Sequence, residues 1–282
     1  MLNHLSVTRL PVKKIQSAGI LDIADDIVVE EPLEIQLDYG PYGARRRENI
    51  SVTMRTPGND IELAAGFLFS ENIIQRRSDI IHISPLSDTA NKILAIAPPD
   101  AVIAAEKISR NFYSHSGCGI CGKTSMESIR TFSSGKNEST QVSKEAGFFF
   151  AIQQQLIAHQ SIFESTGGLH AAAIFDGAGE ILVLREDIGR HNALDKVIGF
   201  ALFNDLLPLD QMVLLLSGRA GFELVQKAAM AGIKIVCAVG APSSLAIEFA
   251  KECDMTLVGF LREQRFNIYS GEQRILMDHQ RA

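Results

Sequence analysis

The stretch MVLLLSGRAGFELVQKAAMAGIKIVCAVGAPSSLAIEFAKECDMTLVGF, residues 212–260, alternates apolar runs with helix-like segments. The runs at 212–216, 234–239 and 255–260 have the length and composition of buried strands, and 223–231 and 243–251 lie between them as helices. Strands that alternate with helices form a sheet covered on both faces. We therefore predict an α/β fold with a mixed, mainly parallel sheet.

The residues just before this stretch extend the same sheet. A hairpin is predicted from 169–175 and 180–184 across the turn Asp176-Gly177-Ala178-Gly179, with helices at 148–159 and 192–203. We expect all of these elements to belong to one larger α/β domain over residues 111–282.

A smaller unit is predicted upstream, over residues 1–110. Its first 20 residues show no strong period and are expected to be a loosely attached lead-in. The order β, β, α, β, β indicates a small N-terminal α+β domain. The predicted elements are strands within 26–37 and at 50–55, a helix at 61–71, and strands near 79–84 and 91–97.

Composition excludes several classes of protein. With 33 acidic and 27 basic residues the net charge is −6, so nucleic acid is not expected as a general partner. The first ten residues lack the apolar core of a signal peptide, and no apolar run approaches the length of a membrane span. We expect a cytoplasmic protein without a membrane partner.

The sequence Ser116-Gly117-Cys118-Gly119-Ile120-Cys121-Gly122-Lys123 is the strongest candidate for reactive chemistry. It places two cysteines at C-x-x-C spacing in a glycine-rich loop before a predicted helix. A helix N-terminus lowers a thiol pKa, and the thiolate is the nucleophile. Redox or sulfur chemistry is favoured over a structural disulfide or two incidental thiols.

Structural zinc is the other alternative for this pair, and it needs four ligands. The remaining cysteines, Cys237 and Cys253, are sixteen residues apart, and Cys237 lies in a run that reads as a buried strand. No histidine stands close enough in sequence to complete a familiar site. We therefore predict no structural metal.

Several polar segments follow predicted strands, where open α/β sheets place ligands. Thr166-Gly167-Gly168-Leu169-His170 precedes a strand, and His170 is either a binding residue or a structural histidine. The dense run from Arg185 to Lys196 includes Arg190 and His191; its alternative reading is a capped, salt-bridged helix start.

Two further corners resemble anion sites. Ser217-Gly218-Arg219 and Gly240-Ala241-Pro242-Ser243 open helices after strands, so their backbone N–H groups and Arg219 suit phosphates. Near the end, Phe266-Asn267-Ile268-Tyr269-Ser270-Gly271 offers aromatic rings for stacking and an amide for hydrogen bonding, or is simply a final strand. Together these segments predict an anionic ligand.

Taken in order, these motifs resemble the FdhD family of formate dehydrogenase accessory sulfurtransferases. The resemblance spans about residues 50–270 and rests on Thr56-Pro57-Gly58, Glu62–Leu68, Cys118–Gly122, Thr166–Ala172, Arg185–Lys196, Ser217–Arg219, Gly240–Ala246, Leu257–Phe260 and Phe266–Tyr269. The family fold implies a larger part similar to cytidine deaminase. This sequence has no H-x-E and no proline before Cys118, so zinc deaminase chemistry is not expected.

The resemblance implies a sulfur path between two partner proteins. Sulfane sulfur would come from a cysteine desulfurase and pass to the molybdenum cofactor of formate dehydrogenase, in its bis-(molybdopterin guanine dinucleotide) form. Guanine nucleotides should then bind as mimics of this cargo, and the protein should be a homodimer.

The predicted mechanism starts at Cys118, whose thiolate takes the terminal sulfur of a donor persulfide, while Cys121 assists or forms a disulfide. The cargo would be held by His170, Arg190, His191, Ser217, Gly218, Arg219 and the six residues from Phe266 to Gly271. Two alternatives remain: a chaperone that binds the molybdenum cofactor without sulfur chemistry, and a thiol-disulfide oxidoreductase.

Overall fold

The computed structural model describes residues 6–86, 91–101, 103, 112–113 and 142–277. Over these residues it is a mixed α/β fold. The strands are β1 (Val7–Gln16), β2 (Gly19–Val28), β3 (Glu31–Tyr39), β4 (Arg46–Arg55), β5 (His82–Pro85), β6 (Lys92–Ile96), β7 (Phe112–Tyr113), β8 (Lys144–Glu145), β9 (His170–Phe175), β10 (Ile181–Asp187), β11 (Val213–Leu216), β12 (Ile235–Ala238), β13 (Thr256–Arg262), β14 (Arg265–Ser270) and β15 (Ile275–Leu276). The helices are α1 (Asp60–Ser70), α2 (Ala146–His159), α3 (Ser161–Thr166), α4 (Arg190–Phe203), α5 (Phe222–Met230) and α6 (Ser244–Glu252).

The larger sheet has six strands in the order β10-β9-β11-β12-β13-β14. Its centre, β11-β12-β13, is parallel as predicted, but the other three neighbouring pairs are antiparallel. The expectation of a mainly parallel sheet is therefore wrong. The β9–β10 hairpin lies beside β11, and β14 turns straight back along β13, so each flank of the parallel centre is antiparallel.

The N-terminal region forms a second sheet of five strands, in the order β5-β6-β3-β4-β7. Its strands and α1 follow the predicted order. The proposed division of the chain at residue 110 falls outside the described residues and stays a prediction, as does the likeness to cytidine deaminase. Buried side chains from both regions share one core, in which Ile35 and Leu63 belong to the same cluster as Leu194 and Leu224.

The first 20 residues differ from the predicted lead-in. β1 and β2 form an antiparallel ribbon, with ten residue pairs from Val7↔Val28 to Gln16↔Gly19. Ion pairs Arg9–Asp26 and Lys13–Asp22 cross the two strands. An apolar period could not reveal this ribbon, because charged residues interrupt the alternation on one of its faces.

Helices α1 and α4 cross at unusually close range through one glycine on each. A Cβ atom built at Gly66 would lie 1.8 Å from the carbonyl oxygen of Asp195, and one at Gly199 would lie 1.9 Å from that of Glu62. Only glycine lets the two backbones approach so closely. The crossing ties the five-stranded sheet to the six-stranded one.

A buried ion pair fastens α5 to the same crossing. Lys227 Nζ lies 2.9 Å from both carboxylate oxygens of Asp195, and Ser70 Oγ donates to Asp195 Oδ1 at 2.6 Å. Asp195 and Lys227 are buried, so each compensates the charge of the other, and an unpaired charge at either position would be unfavourable in free energy. Three helices are thereby fixed relative to one another.

We predict that Gly199→Ala lowers the free energy of unfolding by about 3 kcal/mol, because a methyl group there meets backbone atoms rather than a movable side chain. Gly147→Ala in α2 is the matched control, since a Cβ atom there has nothing within 4 Å. That control should be neutral or slightly stabilising. Urea denaturation of both variants measures the difference; equal stabilities would contradict this account of the crossing.

Candidate functional site

Cys118 and Cys121, the predicted sulfur carriers, lie outside the described residues. Their role as sulfur carriers therefore stays a prediction from the sequence. The other two cysteines can be placed: Cys237 is buried in β12, and Cys253 follows α6. Burial raises the pKa of both thiols. Neither has the thiolate character that sulfur transfer needs.

Most of the polar segments predicted to bind a ligand meet at one edge of the six-stranded sheet. We call it the carboxyl edge, because the parallel strands of the sheet end there. β11, β12 and β13 are parallel and end there, whereas β9 is antiparallel to β11 and begins there. His170, the first residue of β9, therefore lies beside the loop after β11. A Cβ atom at Gly218 would be 3.1 Å from His170 Nδ1, and Gly240 N–H donates to Gly218 O at 2.8 Å.

The dense run between β10 and α4 divides into buried groups that hold the structure and outer groups nearer the surface. Asp187 is fully buried and accepts hydrogen bonds from the N–H groups of Thr56 and Gly189, and its carboxylate lies 2.7 Å from Lys196 Nζ. Asn192 Nδ2 also donates to Asp187. The salt-bridged helix start weighed from sequence is therefore correct for these residues, and they hold the beginning of α4 at the sheet edge.

Arg190 and His191 are the first two residues of α4 and lie at this edge. His191 Nε2 is 3.0 Å from Glu223 Oε2, at the beginning of α5. The Arg219 guanidinium is exposed and forms no hydrogen bond or ion pair with any residue that the structure describes. Because α4, α5 and α6 all begin beside these groups, the edge combines side-chain cations with helix N-termini.

His170 is the titratable group most affected by these surroundings. Partial burial lowers the pKa of its imidazole below the usual value. The neighbouring Arg190, His191 and Arg219 lower that pKa further, against the opposite effect of Asp187. His170 is therefore neutral at pH 7, and an arriving anion would favour its protonation.

The last strand contributes only in part. On β14, Asn267 lies opposite Gly259, and its Nδ2 donates to the hydroxyl of Tyr269 at 3.3 Å. A Cβ atom at Gly259 would lie 2.9 Å from the Tyr269 ring and 2.7 Å from Pro242 Cδ. Asn267 and Tyr269 thus adjoin the corner after β12.

The other four residues predicted on this strand are placed differently. Phe266 packs against Phe149 and Phe150 of α2, with ring centroids 5.3 and 5.5 Å apart, and Ile268 shares its side of the strand. Ser270 and Gly271 lie at the opposite edge of the sheet: Ser270 Oγ donates to Met255 O, and a Cβ atom at Gly271 would meet Thr256 Oγ1 at 2.4 Å. Ser270 and Gly271 therefore lie away from the edge where β13 ends, and the Phe266 ring packs on α2.

One residue at this edge was not identified from sequence as a binding residue. Phe260 has φ 53°, a left-handed conformation that is unusual for a bulky side chain, and it is 43% exposed. Its N–H donates to Gly240 O at 3.1 Å, and the β13–β14 register shifts at this point. Strained backbone that presents an aromatic ring beside cationic side chains is typical of a functional position. No local pattern predicts this backbone.

Within residues 6–86, 91–101, 103, 112–113 and 142–277, no group of three or more His, Cys, Asp or Glu residues is arranged to hold a metal ion. The cysteine pair lies outside these ranges, so the expected lack of a metal stays a prediction. In the same part of the chain, no helix is both long and apolar enough to span a bilayer.

The described residues define a mixed α/β protein with arginine and histidine side chains at the carboxyl ends of its parallel strands. Comparison with known proteins specifies the family. The family model described as "FdhD/NarQ family" matches residues 28–276. The chain belongs to this family, as its motifs suggested.

Relatives agree with this assignment. The chain is 48% identical over 261 residues to a "Sulfur carrier protein FdhD" of Mycolicibacterium paratuberculosis, with 89% of this chain and 92% of that protein covered. It is 43% identical over 277 residues to one of Streptomyces avermitilis, covering 95% of each. A crystal structure from Desulfotalea psychrophila, of a proposed formate dehydrogenase accessory protein, has a TM-score of 0.74 at 23% identity, covering 96% of this chain and 100% of that one, and shows the same fold.

We predict that His170 titrates below the ordinary histidine pKa of about 6.5. Arg219→Ala should raise the pKa of His170, because it removes a cation that opposes protonation. Added pyrophosphate should raise it in the unmodified protein, because a bound anion stabilises the imidazolium. NMR titration of the imidazole, assigned with His170→Gln, measures both shifts.

Arg262→Ala is the control for this titration. Arg262 follows the same edge, but its guanidinium donates to Val239 O and does not affect His170. A pKa of His170 that responds equally to both substitutions, or not at all to pyrophosphate, would contradict the anion site.

Proposed function

We propose that this protein carries sulfane sulfur as a cysteine persulfide and delivers it to the molybdenum cofactor of a formate dehydrogenase. The cationic carboxyl edge, with Arg219 exposed and His170 neutral among positive charges, is the observation that carries the binding part of this proposal. Relatives described as sulfur carrier proteins support the transfer part. The cysteine desulfurase as donor and the formate dehydrogenase as acceptor come from the sequence resemblance.

The transfer can be written with balanced atoms and electrons. The Cys118 thiolate attacks the terminal sulfur of the donor persulfide; a sulfur–sulfur bond forms on Cys118, that of the donor breaks, and the donor leaves as a thiolate. The Cys121 thiolate can then attack Cys118, which forms a disulfide and releases the terminal sulfur as hydrosulfide. The two cysteines are oxidised and the sulfur is reduced, so the metal need not change oxidation state. A dithiol reductant restores the pair.

The cargo suits the carboxyl edge chemically. Bis-(molybdopterin guanine dinucleotide) carries diphosphates, which match helix N-termini and arginine side chains. Its guanine bases are planar, and the exposed ring of Phe260 lies beside the same corner, near Asn267 and Tyr269. Phe266, by contrast, is engaged by the two phenylalanines of α2. We therefore assign stacking to Phe260 and guanine hydrogen bonding to Asn267.

We predict that GDP binds more tightly than ADP, because stacking discriminates little among bases and the Asn267 amide supplies the preference. Phe260→Ala should weaken GDP binding about tenfold, within the range for loss of one stacked base. Arg219→Ala should weaken both nucleotides alike. Calorimetry measures these affinities.

Phe163→Ala in α3 is the matched control, since Phe163 and Phe260 are both 43% exposed, but the N–H of Phe163 is bound to Glu186 of β10, and three strands separate β10 from β13 in the sheet. It should leave GDP affinity unchanged. Equal weak heats for GDP and ADP, insensitive to both Phe260→Ala and Arg219→Ala, would place the cargo elsewhere.

We predict that incubation with a cysteine desulfurase and cysteine adds one sulfur atom to the protein, and that Cys118→Ala abolishes this addition. Cys121→Ala should retain the added sulfur, because its resolving thiol is missing. Intact-protein mass spectrometry under non-reducing conditions measures the adduct, with Cys253→Ala as the control thiol variant. Normal cofactor sulfuration by Cys118→Ala protein would favour a chaperone that holds the cargo without sulfur chemistry.

A further inference from the structure

A cavity of about 200 Å³ lies beside the base of the β1–β2 ribbon. Its walls are the loop 56–59 before α1, the junction of α2 and α3, and the end of β10, and Ser6 closes one side. In the part of the chain that the structure describes, none of the residues assigned above to the cargo belongs to this lining. The cavity is therefore a second candidate site.

The loop 56–59 is fixed by contacts on both of its sides. From the core, the buried Lys196 Nζ donates to Thr56 O at 3.0 Å. From the base of the ribbon, Ser6 Oγ donates to Pro57 O at 2.7 Å. This wall of the cavity is therefore formed before any ligand arrives, so a ligand need not supply the free energy to order it.

The end of this loop has a backbone conformation that side chains rarely adopt. Gly58 has φ 118°, and Asn59 follows with φ 57°. Left-handed backbone is uncommon at residues other than glycine, and such residues cluster at binding sites. Asn59 is the N-cap of α1, yet its side chain makes no capping hydrogen bond, nor any with another residue in the described ranges. Its amide is therefore available to a ligand.

Two cations in the lining already have counter-charges. Lys196 Nζ lies 2.7 Å from Asp187 Oδ2. Arg185 donates to both carboxylate oxygens of Glu62, from Nε at 2.5 Å and from Nη2 at 2.8 Å. Neither positive charge is left to attract an anion into the cavity.

Glu186 is the charge in the lining that has no ion-pair partner among the residues that the structure describes. Its carboxylate oxygens accept from the N–H groups of Ile162 and Phe163, at 3.2 and 2.9 Å, which holds the carboxylate at the beginning of α3. These donors are neutral, and burial raises the pKa of the Glu186 carboxyl. A cation in the cavity would stabilise this half-buried negative charge.

The rest of the lining offers hydrogen-bond acceptors and apolar contact. His159 Nδ1 lies 2.8 Å from Gln155 O and so carries the proton, which leaves Nε2 of the neutral ring as an acceptor. The Ser161 hydroxyl forms no hydrogen bond with any residue in the described ranges. Ile162 and Leu184 add aliphatic surface. Acceptors around one negative charge, with aliphatic side chains beside them, match a protonated amine on a short alkyl chain.

We propose that this cavity binds a primary ammonium group, with Glu186 as its counter-charge. The three N–H donors of an ammonium can be shared among Glu186, Asn59 and Ser161. A volume near 200 Å³ is below the range usual for drug-sized ligands, so the occupant is a small amine or the end of one lysine side chain. An anion is disfavoured, because it would meet the charge of Glu186. The site is therefore opposite in sign to the carboxyl edge.

Titration of the full chain with n-butylammonium chloride, which reproduces the end of a lysine side chain, tests the site. The backbone amide resonances of Gly58 and Ile162 should shift and saturate in the NMR spectrum. n-Butanol has the same shape without the charge and should cause no saturable shift. A blocked peptide with a single lysine distinguishes the two sources of the amine. Tighter binding of the peptide than of n-butylammonium assigns the cavity to the lysine of a partner protein, and equal or weaker binding assigns it to a free amine.

Glu186→Gln should weaken n-butylammonium binding about tenfold, because it removes the charge but keeps an oxygen that accepts from α3. Glu164→Gln is the matched control, since Glu164 lies in the first turn of α3 but outside the cavity lining. It should leave the affinity unchanged.

Asn59→Gly gives a second test that does not depend on how Glu186→Gln folds, because glycine suits the left-handed backbone at this position. It should weaken n-butylammonium binding about threefold, as expected for the loss of one hydrogen bond. Resonances that do not saturate with n-butylammonium would overturn the proposal. So would n-butanol shifts equal to those of n-butylammonium, or equal affinities in the Glu186→Gln and Glu164→Gln proteins.

Discussion

The close crossing of α1 and α4 is the constraint on which the rest of the described structure depends. Gly66 and Gly199 bring the two helix backbones into direct contact, and no other residue fits at either position. The buried pair Asp195–Lys227 then fixes α5 against the same crossing. Breaking such a pair leaves an uncompensated buried charge, so it holds the geometry even where it adds little net stability.

The helix crossing also fixes the candidate site, because the first turn of α4 lies at the carboxyl edge of the sheet. Asp187 receives hydrogen bonds from backbone N–H groups and an ion pair from Lys196, so the turn is anchored from inside the core. Its interior charges are satisfied, and Arg190 and His191 remain at the surface of the sheet edge. The dense run from Arg185 to Lys196 therefore has two roles. Its buried members position the helix, and its outer members supply the positive field that an anion would meet.

How much the sequence predicts depends on whether the determining contact is local. α5 and α6 lie within two residues of their predicted bounds, because apolar periodicity is a local signal. The sheet edge was predicted as a ligand site from the loops that follow strands. The meeting of His170 with Gly218 was not predicted, because it depends on β9 lying antiparallel beside β11. Phe260 was missed for a related reason: its left-handed backbone results from a register shift between two strands, which no short motif encodes.

A neutral histidine among cations suits the proposed carrier role, in which an anionic cargo is held only for a time. Burial and the neighbouring arginines favour the uncharged form of His170, which limits repulsion between positive groups. When an anionic ligand arrives, it favours protonation, so the site gains positive charge only while it is occupied. Binding would then be coupled to proton uptake, and affinity would weaken as the pH rises, because protonating His170 in the complex costs more free energy at higher pH. Permanent charge alone would give a site with no such dependence, whereas this arrangement lets acceptance and release respond to the environment of the acceptor.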